Sequence, residues 1–146
     1  MEKQLVTAPG YKSGLDERVW SPGIKVGPWL FLSGVVGVDF DTSDTVGLSK
    51  GGKMTPQSID PEAQWRQCLT NLKVMVEAAG GTMNDIVRAD VHVTDMRYYY
   101  ENEWIRKEFF ERPYPVCTAI AVRGLVHPNW ILEIDATAYI EDATDA

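Results

Sequence analysis

Residues able to do nucleophilic or acid–base chemistry fall in step on neighbouring stretches of this chain. Cys117 lies within Tyr114-Pro115-Val116-Cys117-Thr118-Ala119-Ile120-Ala121-Val122-Arg123-Gly124-Leu125. A period of two there separates β-branched Val116, Thr118, Ile120 and Val122 from small Cys117, Ala119 and Ala121, as a pleated strand requires. The branched face is expected to pack a layer, and the small face to leave room for a ligand with Cys117 at its floor. From Ile86 to Thr94, Val87, Ala89, Val91 and Val93 form an apolar face, while Arg88, Asp90, His92 and Thr94 form the other. That phase predicts His92 and Asp90 on the open face with Cys117. A thiol needs a nearby base or cation to act as a nucleophile, so a Cys117–His92–Asp90 relay, within one subunit or across two, is one reading. In the plain reading Cys117 is a small packing residue and His92 a hydrogen-bonded structural group.

The elements that must hold these residues are legible from periodicity. Asp60-Pro61 starts a helix, with Trp65, Cys68, Leu69, Leu72, Met75, Val76 and Ala79 on one stripe and Gly80-Gly81 at its end. Ile24 to Val26 and Trp29 to Ser33 flank Gly27-Pro28 as a hairpin, and Val35 to Val38 could continue the second strand. Asp95 caps a second helix running from Met96 to Glu111. The last strand, Trp130 to Ile140, turns Leu132, Ile134, Ala136 and Ala138 to one side and Glu133, Asp135 and Thr137 to the other. Residues 1–18 read as an arm with one short strand at most. Residues 39–59, dense in Gly, Ser, Thr and Asp, read as a solvated connector or as a lid. Together they predict a single α+β domain spanning 1–146, one sheet covered on one face by two helices. The other face would carry His92, Asp90, Cys117, Ala119, Glu133 and Asp135 with Trp29 and Phe31. That mixture suits burial against another copy, which predicts a homo-oligomer with polar clefts between subunits.

Composition excludes several classes. A net charge of −7 over 146 residues repels a phosphate backbone, so an RNA-directed role ranks last. No apolar run is long enough to span a bilayer and no signal-peptide block opens the chain, so a cytoplasmic protein is expected. Two cysteines, Cys68 and Cys117, are too few for a disulfide framework and form no metal-type spacing. Neither a ligand cluster nor a phosphate-binding glycine loop implies a metal or organic cofactor.

Taken in order, several segments resemble the RidA/YjgF family of reactive-intermediate deaminases, whose members hydrolyse enamines and imines. They are Gly27-Pro28-Trp29-Leu30-Phe31-Leu32-Ser33-Gly34, the helix from Gln64 to Gly80 containing Asn71-Leu72, Asp85-Ile86-Val87, Val91-His92-Val93-Thr94-Asp95, Phe109-Phe110, Tyr114-Pro115 and Leu132-Glu133-Ile134-Asp135-Ala136. The resemblance covers about Trp20 to Tyr139. It implies a chorismate-mutase-like fold, a homotrimer, and sites in clefts between subunits. It also implies a catalytic motif, aromatic-Pro-x-Arg-Ser/Thr, whose arginine grips a substrate carboxylate. Here the motif reads Tyr114-Pro115-Val116-Cys117-Thr118, with Cys117 in place of the arginine. The family's stacking tyrosine corresponds to Trp20, its helix asparagine to Glu103, and its cysteine two residues past the arginine to Ala119. Gly34 and the water-positioning glutamate, Glu133, are kept. The stretch Leu125 to Glu133, with His127-Pro128-Asn129-Trp130, resembles the subgroup that includes aminomuconate deaminases.

The expected chemistry is hydrolysis of an enamine, imine or related activated metabolite. Glu133 would be the acid and base, its pKa raised by a neighbouring Glu103. Cys117 would be nucleophile or substrate contact, His92 its conditional partner, Trp20 a ligand wall and Gly34 a backbone contact. The alternative from another class is a non-catalytic small-molecule binder that lost catalysis with its arginine. In the plain readings Glu133 pairs with Arg88 or Arg123, Trp20 joins the core, and Glu103 is solvated helix surface.

Overall fold

Asp60 starts the main helix as its side chain predicts. Its carboxylate accepts the Ala63 amide at 3.1 Å, and Pro61 occupies the first helical turn, where an amide would have no partner. The helix, α1 (Pro61–Ala78), turns Trp65, Cys68, Leu69, Leu72, Met75 and Val76 inward, all of them buried. These and the other positions below come from a computed structural model that describes residues 1–11, 17–54 and 56–141.

The stripe of α1 packs on β3 (Trp29–Val36) and β6 (Leu132–Tyr139). In β6 the predicted alternation holds, with Leu132, Ile134, Ala136 and Ala138 all buried. Four more strands complete a six-stranded sheet in the order β1-β2-β3-β6-β4-β5: β1 (Gln4–Val6), β2 (Gly23–Val26), β4 (Ile86–Val93) and β5 (Ala119–Ala121). All neighbours are antiparallel except β4 and β5, so the sheet is mixed. Among the described residues, no helix is long and apolar enough to cross a membrane.

The second helix is shorter than its sequence suggests. Only α2 (Met96–Asn102) is α-helical, and a 3₁₀ segment, Glu103–Glu108, follows it. Asn102 is buried and donates its side-chain amide to the Tyr98 carbonyl at 3.0 Å, as does Trp65 Nε1 at 3.1 Å. Two side chains thus compete for an acceptor that a continuing α-helix would reserve for its own backbone.

The stretch 114–125 is strand-like but turned over. Its backbone pairs with β4 from Val116 to Val122: Val116 N–H donates to Val87 O, Ala89 N–H to Val116 O, Val91 N–H to Thr118 O, and Val122 N–H to Val93 O, at 2.8–3.0 Å. Only Ala119–Ala121 is regular. The register sets Val91 opposite Ala119 and His92 opposite Ile120. Ala119 therefore follows buried Val91 toward the helices and packs against the core, and Cys117 follows Ala89. The branched residues point the other way, Val116 56% and Ile120 44% exposed. A second correction lies at the start of β4, where a register shift between Ile86 and Arg88 buries Ile86 and exposes Val87.

Two buried amides of α1 fix the segments that flank the site. Asn71 Nδ2 donates to the Val36 and Val38 carbonyls at 2.8 and 2.7 Å, tying down the chain that leaves β3. Gln64 Nε2 donates to Asn129 O at 3.1 Å, and Gln64 Oε1 accepts from the Ile131 amide at 2.7 Å, fixing the entry to β6. Asn71→Ala would orphan two carbonyls, and we expect it to lower stability by about 2–3 kcal/mol, read as a fall in urea midpoint at unchanged m-value.

Candidate active site

Glu133 lines a cavity of about 660 Å³. It lies on β6 between buried Leu132 and Ile134, so strand alternation turns it away from the helices. Burial holds its carboxyl above the ordinary glutamate range, with the Asp135 carboxylate adding to the effect and the nearby His92 opposing it. Among the described residues no side chain pairs with it. Arg88 binds Asp90 at 3.2 Å instead, so pairing with that arginine is not observed.

Gly34 faces this carboxyl across the β3–β6 pair. The register shifts there, between Leu32 and Val35, and a Cβ placed on Gly34 would fall on the Glu133 carboxyl group. Glycine is needed to let the two approach. Gly34→Ala is expected to displace Glu133 and cost about 1–3 kcal/mol in overpacking. Its expected signature is a fall in turnover exceeding the loss explained by unfolding, checked by assay well below Tm.

Trp20 borders the same cavity, held by the turn before β2: Ser33 Oγ donates to Ser21 O at 2.6 Å and Ser33 N–H to Pro22 O at 2.9 Å. It is 45% exposed, so it is wall and not core. The Arg18 guanidinium lies over its ring at 4.5 Å and over Tyr11 at 5.8 Å, and Tyr11 meets Phe40 edge-on at 5.0 Å. Trp130 forms another part of the lining, its Nε1 donating to Thr45 Oγ1 at 3.2 Å. Asp39, Phe40 and Ser43, from the segment expected to be connector or lid, are part of the wall, and bridges Val38–Thr45 and Leu48–Ile59 tie that segment to itself.

Cys117 lines a different cavity, of about 260 Å³, on the helix side of the sheet edge. Arg106 Nη1 donates to its sulfur at 3.4 Å, and Arg106 Nη2 pairs with Glu103 Oε2 at 2.6 Å. Three expectations are corrected by this placement. Within one chain Glu103 stands beside Cys117 and not beside Glu133, so the carboxylate of the same chain that raises Glu133 is Asp135. His92 and Cys117 point to opposite faces of the sheet, so no relay forms between them within one chain. Asp90 is engaged with Arg88 and with the Thr118 amide at 2.7 Å, while the carboxylate near His92 Nδ1 is Asp135 at 3.5 Å. Ala119 lines neither cavity and packs on the core.

Sequence reasoning missed Arg106, Arg18, Phe40 and Tyr11. The Glu103–Arg106 spacing of i, i+3 was a usable signal. The others converge only through the fold.

A model of the family described as Endoribonuclease L-PSP matches residues 15–140. The chain belongs to this family, the RidA/YjgF family whose motifs it carries. It is 33% identical to a RutC family protein of Pyrococcus horikoshii over 122 residues, covering 84% of this chain and 87% of that one. It is 30% identical to the 2-iminobutanoate/2-iminopropanoate deaminase of Dermatophagoides farinae, covering 84% and 86%. The crystal structure of RidA from an Antarctic Psychrobacter bacterium superposes with a TM-score of 0.76 at 27% identity, over 94% of this chain and 99% of that one. That of a putative endoribonuclease from Thermotoga maritima gives 0.79 at 25%, over 97% and 100%. The structure therefore has the fold of the RidA structures, with Gly34 and the Glu133 carboxyl side by side in it.

Proposed function

We propose that this protein is a small-molecule hydrolase of the RidA type, which deaminates an enamine or imine in a cleft between the subunits of a homotrimer. The observation that carries the reading is the half-buried Glu133 carboxyl, without a side-chain partner among the described residues, in a cavity large enough for a metabolite. A raised pKa keeps a share of this group protonated where an exposed glutamate has ionised. The acid protonates the enamine carbon, giving an iminium ion. The resulting carboxylate then takes a proton from water as its oxygen adds to the iminium carbon, and the carbinolamine expels ammonia to leave the carbonyl product. The deaminase from Dermatophagoides farinae, at 30% identity, supports imine chemistry on this scaffold.

A cleft between copies is supported by Cys117 and Glu133 opening to opposite faces of one chain. The uncovered sheet face, with Trp29, Phe31, Val116, Ile120 and Tyr139 exposed, is apolar enough to be covered by a second subunit. A neighbour seated there would bring the edge that carries Cys117 toward Glu133, with Trp20 as ligand wall. Cys117 then serves as nucleophile or as substrate contact. The lost strand arginine favours one alternative, a binder without turnover.

The test is an ammonia-release screen on enamine and imine substrates with wild type, Cys117→Ala and Cys117→Arg. Release by wild type supports the reading, whereas ligand-dependent melting with no ammonia from any substrate would leave a binder. Full turnover by Cys117→Ala would remove the nucleophile role, and gain of activity on amino-acid-derived imines by Cys117→Arg would show a respecialised site.

A further inference from the structure

The cavity beside Cys117 contains a guanidinium supplied by the 3₁₀ segment and not by the strand. Arg106 Nε donates to Glu103 O at 3.3 Å, its Nη2 to Tyr99 Oη at 2.9 Å and to Glu103 Oε2 at 2.6 Å, and its Nη1 to Cys117 Sγ at 3.4 Å. A guanidinium has five N–H groups, and these contacts use four. The fifth, on Nη1, has no acceptor among the described residues, and its nitrogen is the one that meets the sulfur. Lys107 lines the same cavity and makes no ion pair among the described residues. The lining therefore carries two cations against the Glu103 carboxylate, a local excess of positive charge in a chain whose net charge is −7. Trp104, Phe110 and Tyr114 supply apolar wall around a space of about 260 Å³.

We propose that Arg106 makes this cavity an anion-holding subsite. The carboxylate, or an equivalent oxyanion, of a small electrophile takes the open Nη1 hydrogen, which sets the adjoining carbon beside Cys117 Sγ. The positive charge missing from strand position 117 is thus restored from the neighbouring segment, on the helix side of the sheet edge. Glu103 and Tyr99 hold the guanidinium's other nitrogen and fix its plane. The inference rests on the small-molecule function proposed for the protein and adds that the molecule is anionic. Its test involves no turnover, so the two can fail separately.

Iodoacetate and iodoacetamide differ only in a carboxylate against an amide. With either reagent the Cys117 thiolate forms a bond to the methylene carbon as iodide leaves, the thiol proton passing to buffer. The measurement is the ratio of the two labelling rates at Cys117, by intact mass, divided by the same ratio for free cysteine. Buried Cys68 serves as the unreactive internal control. The expected normalised ratio is at least about tenfold in wild type, within about twofold of free cysteine in Arg106→Gln, and intermediate in Arg106→Lys. In wild type, acetate should also slow labelling by iodoacetamide at matched ionic strength, while acetamide should not. A wild-type ratio equal to that of free cysteine, or absence of protection by acetate, overturns the proposal whether or not the variants fold.

Discussion

Glu133→Gln is expected to lower ammonia release by about 10²–10⁴-fold, the usual worth of a positioned general acid or base, while leaving the protein at least as stable at neutral pH. Glutamine keeps the size of the side chain and removes only the ionisable proton. The stability half of the expectation follows from the direction of the pKa shift. Because burial holds the folded-state pKa above the ordinary value of 4.5, the unfolded chain releases this proton first as pH rises. The folded state is therefore favoured fully below the ordinary value, and that contribution is lost as pH climbs through the raised one. Glutamine does not titrate, so the Tm of the variant should gain on wild type across that window and stay ahead above it. Melting curves from pH 4 to 8 would show the gap opening. A variant less stable than wild type at pH 7 would mean that the carboxylate has a stabilising partner, which contradicts its role as an unpaired acid. Activity lost alongside stability gained is the pattern expected of a group placed for chemistry.

Trp65→Ala should cost about 3–5 kcal/mol, since the ring is fully buried in the stripe that α1 lays on β3 and β6. For a domain of this size that is a Tm fall of roughly 10–15 °C. Trp65 also reaches the site indirectly. Its Nε1 holds the Tyr98 carbonyl at 3.1 Å, and its ring lies 6.4 Å from that of Tyr99, whose hydroxyl accepts from Arg106. Trp65→Phe keeps most of the apolar contact and loses the hydrogen bond, so a fall of only a few degrees is expected from it. A loss as large as that of alanine would place the main stabilisation in the hydrogen bond and not in packing. Thermal melts of the three proteins, followed by circular dichroism, make the comparison.

Most of the frame was readable from the chain because burial enforces its periodicity. Helix α1 must turn one stripe to the sheet, and β6, central between β3 and β4, must alternate, so both showed plainly in Trp65 to Val76 and in Leu132 to Ala138. The edge strand did not. The rule that a branched face goes inward fails for Val116 and Ile120, which are exposed on the face that the proposed trimer would cover. Their phase is set by parallel pairing with β4, a register no local pattern in 114–125 encodes. That one inversion moved Cys117 to the helix side and separated it from His92. The Glu133–Gly34 pair came from the family motif and lines one cavity. Arg106 was passed over because a charged residue in an untidy helical stripe reads as solvated surface, and only the 3₁₀ turn brings it to the sulfur.

Mixed assemblies test the central claim most directly, because a site shared between copies can be rebuilt from two inactive chains. Glu133→Gln chains lack the acid, and Cys117→Trp chains have a blocked edge cavity, so each alone should release little ammonia. Co-expressed in equal amounts, they should recover about a quarter of the wild-type rate, the fraction of interfaces that pair an intact Glu133 with an intact Cys117. Recovery of that size is the predicted result. Mixed assemblies no more active than their parents would contradict a cleft built from two subunits.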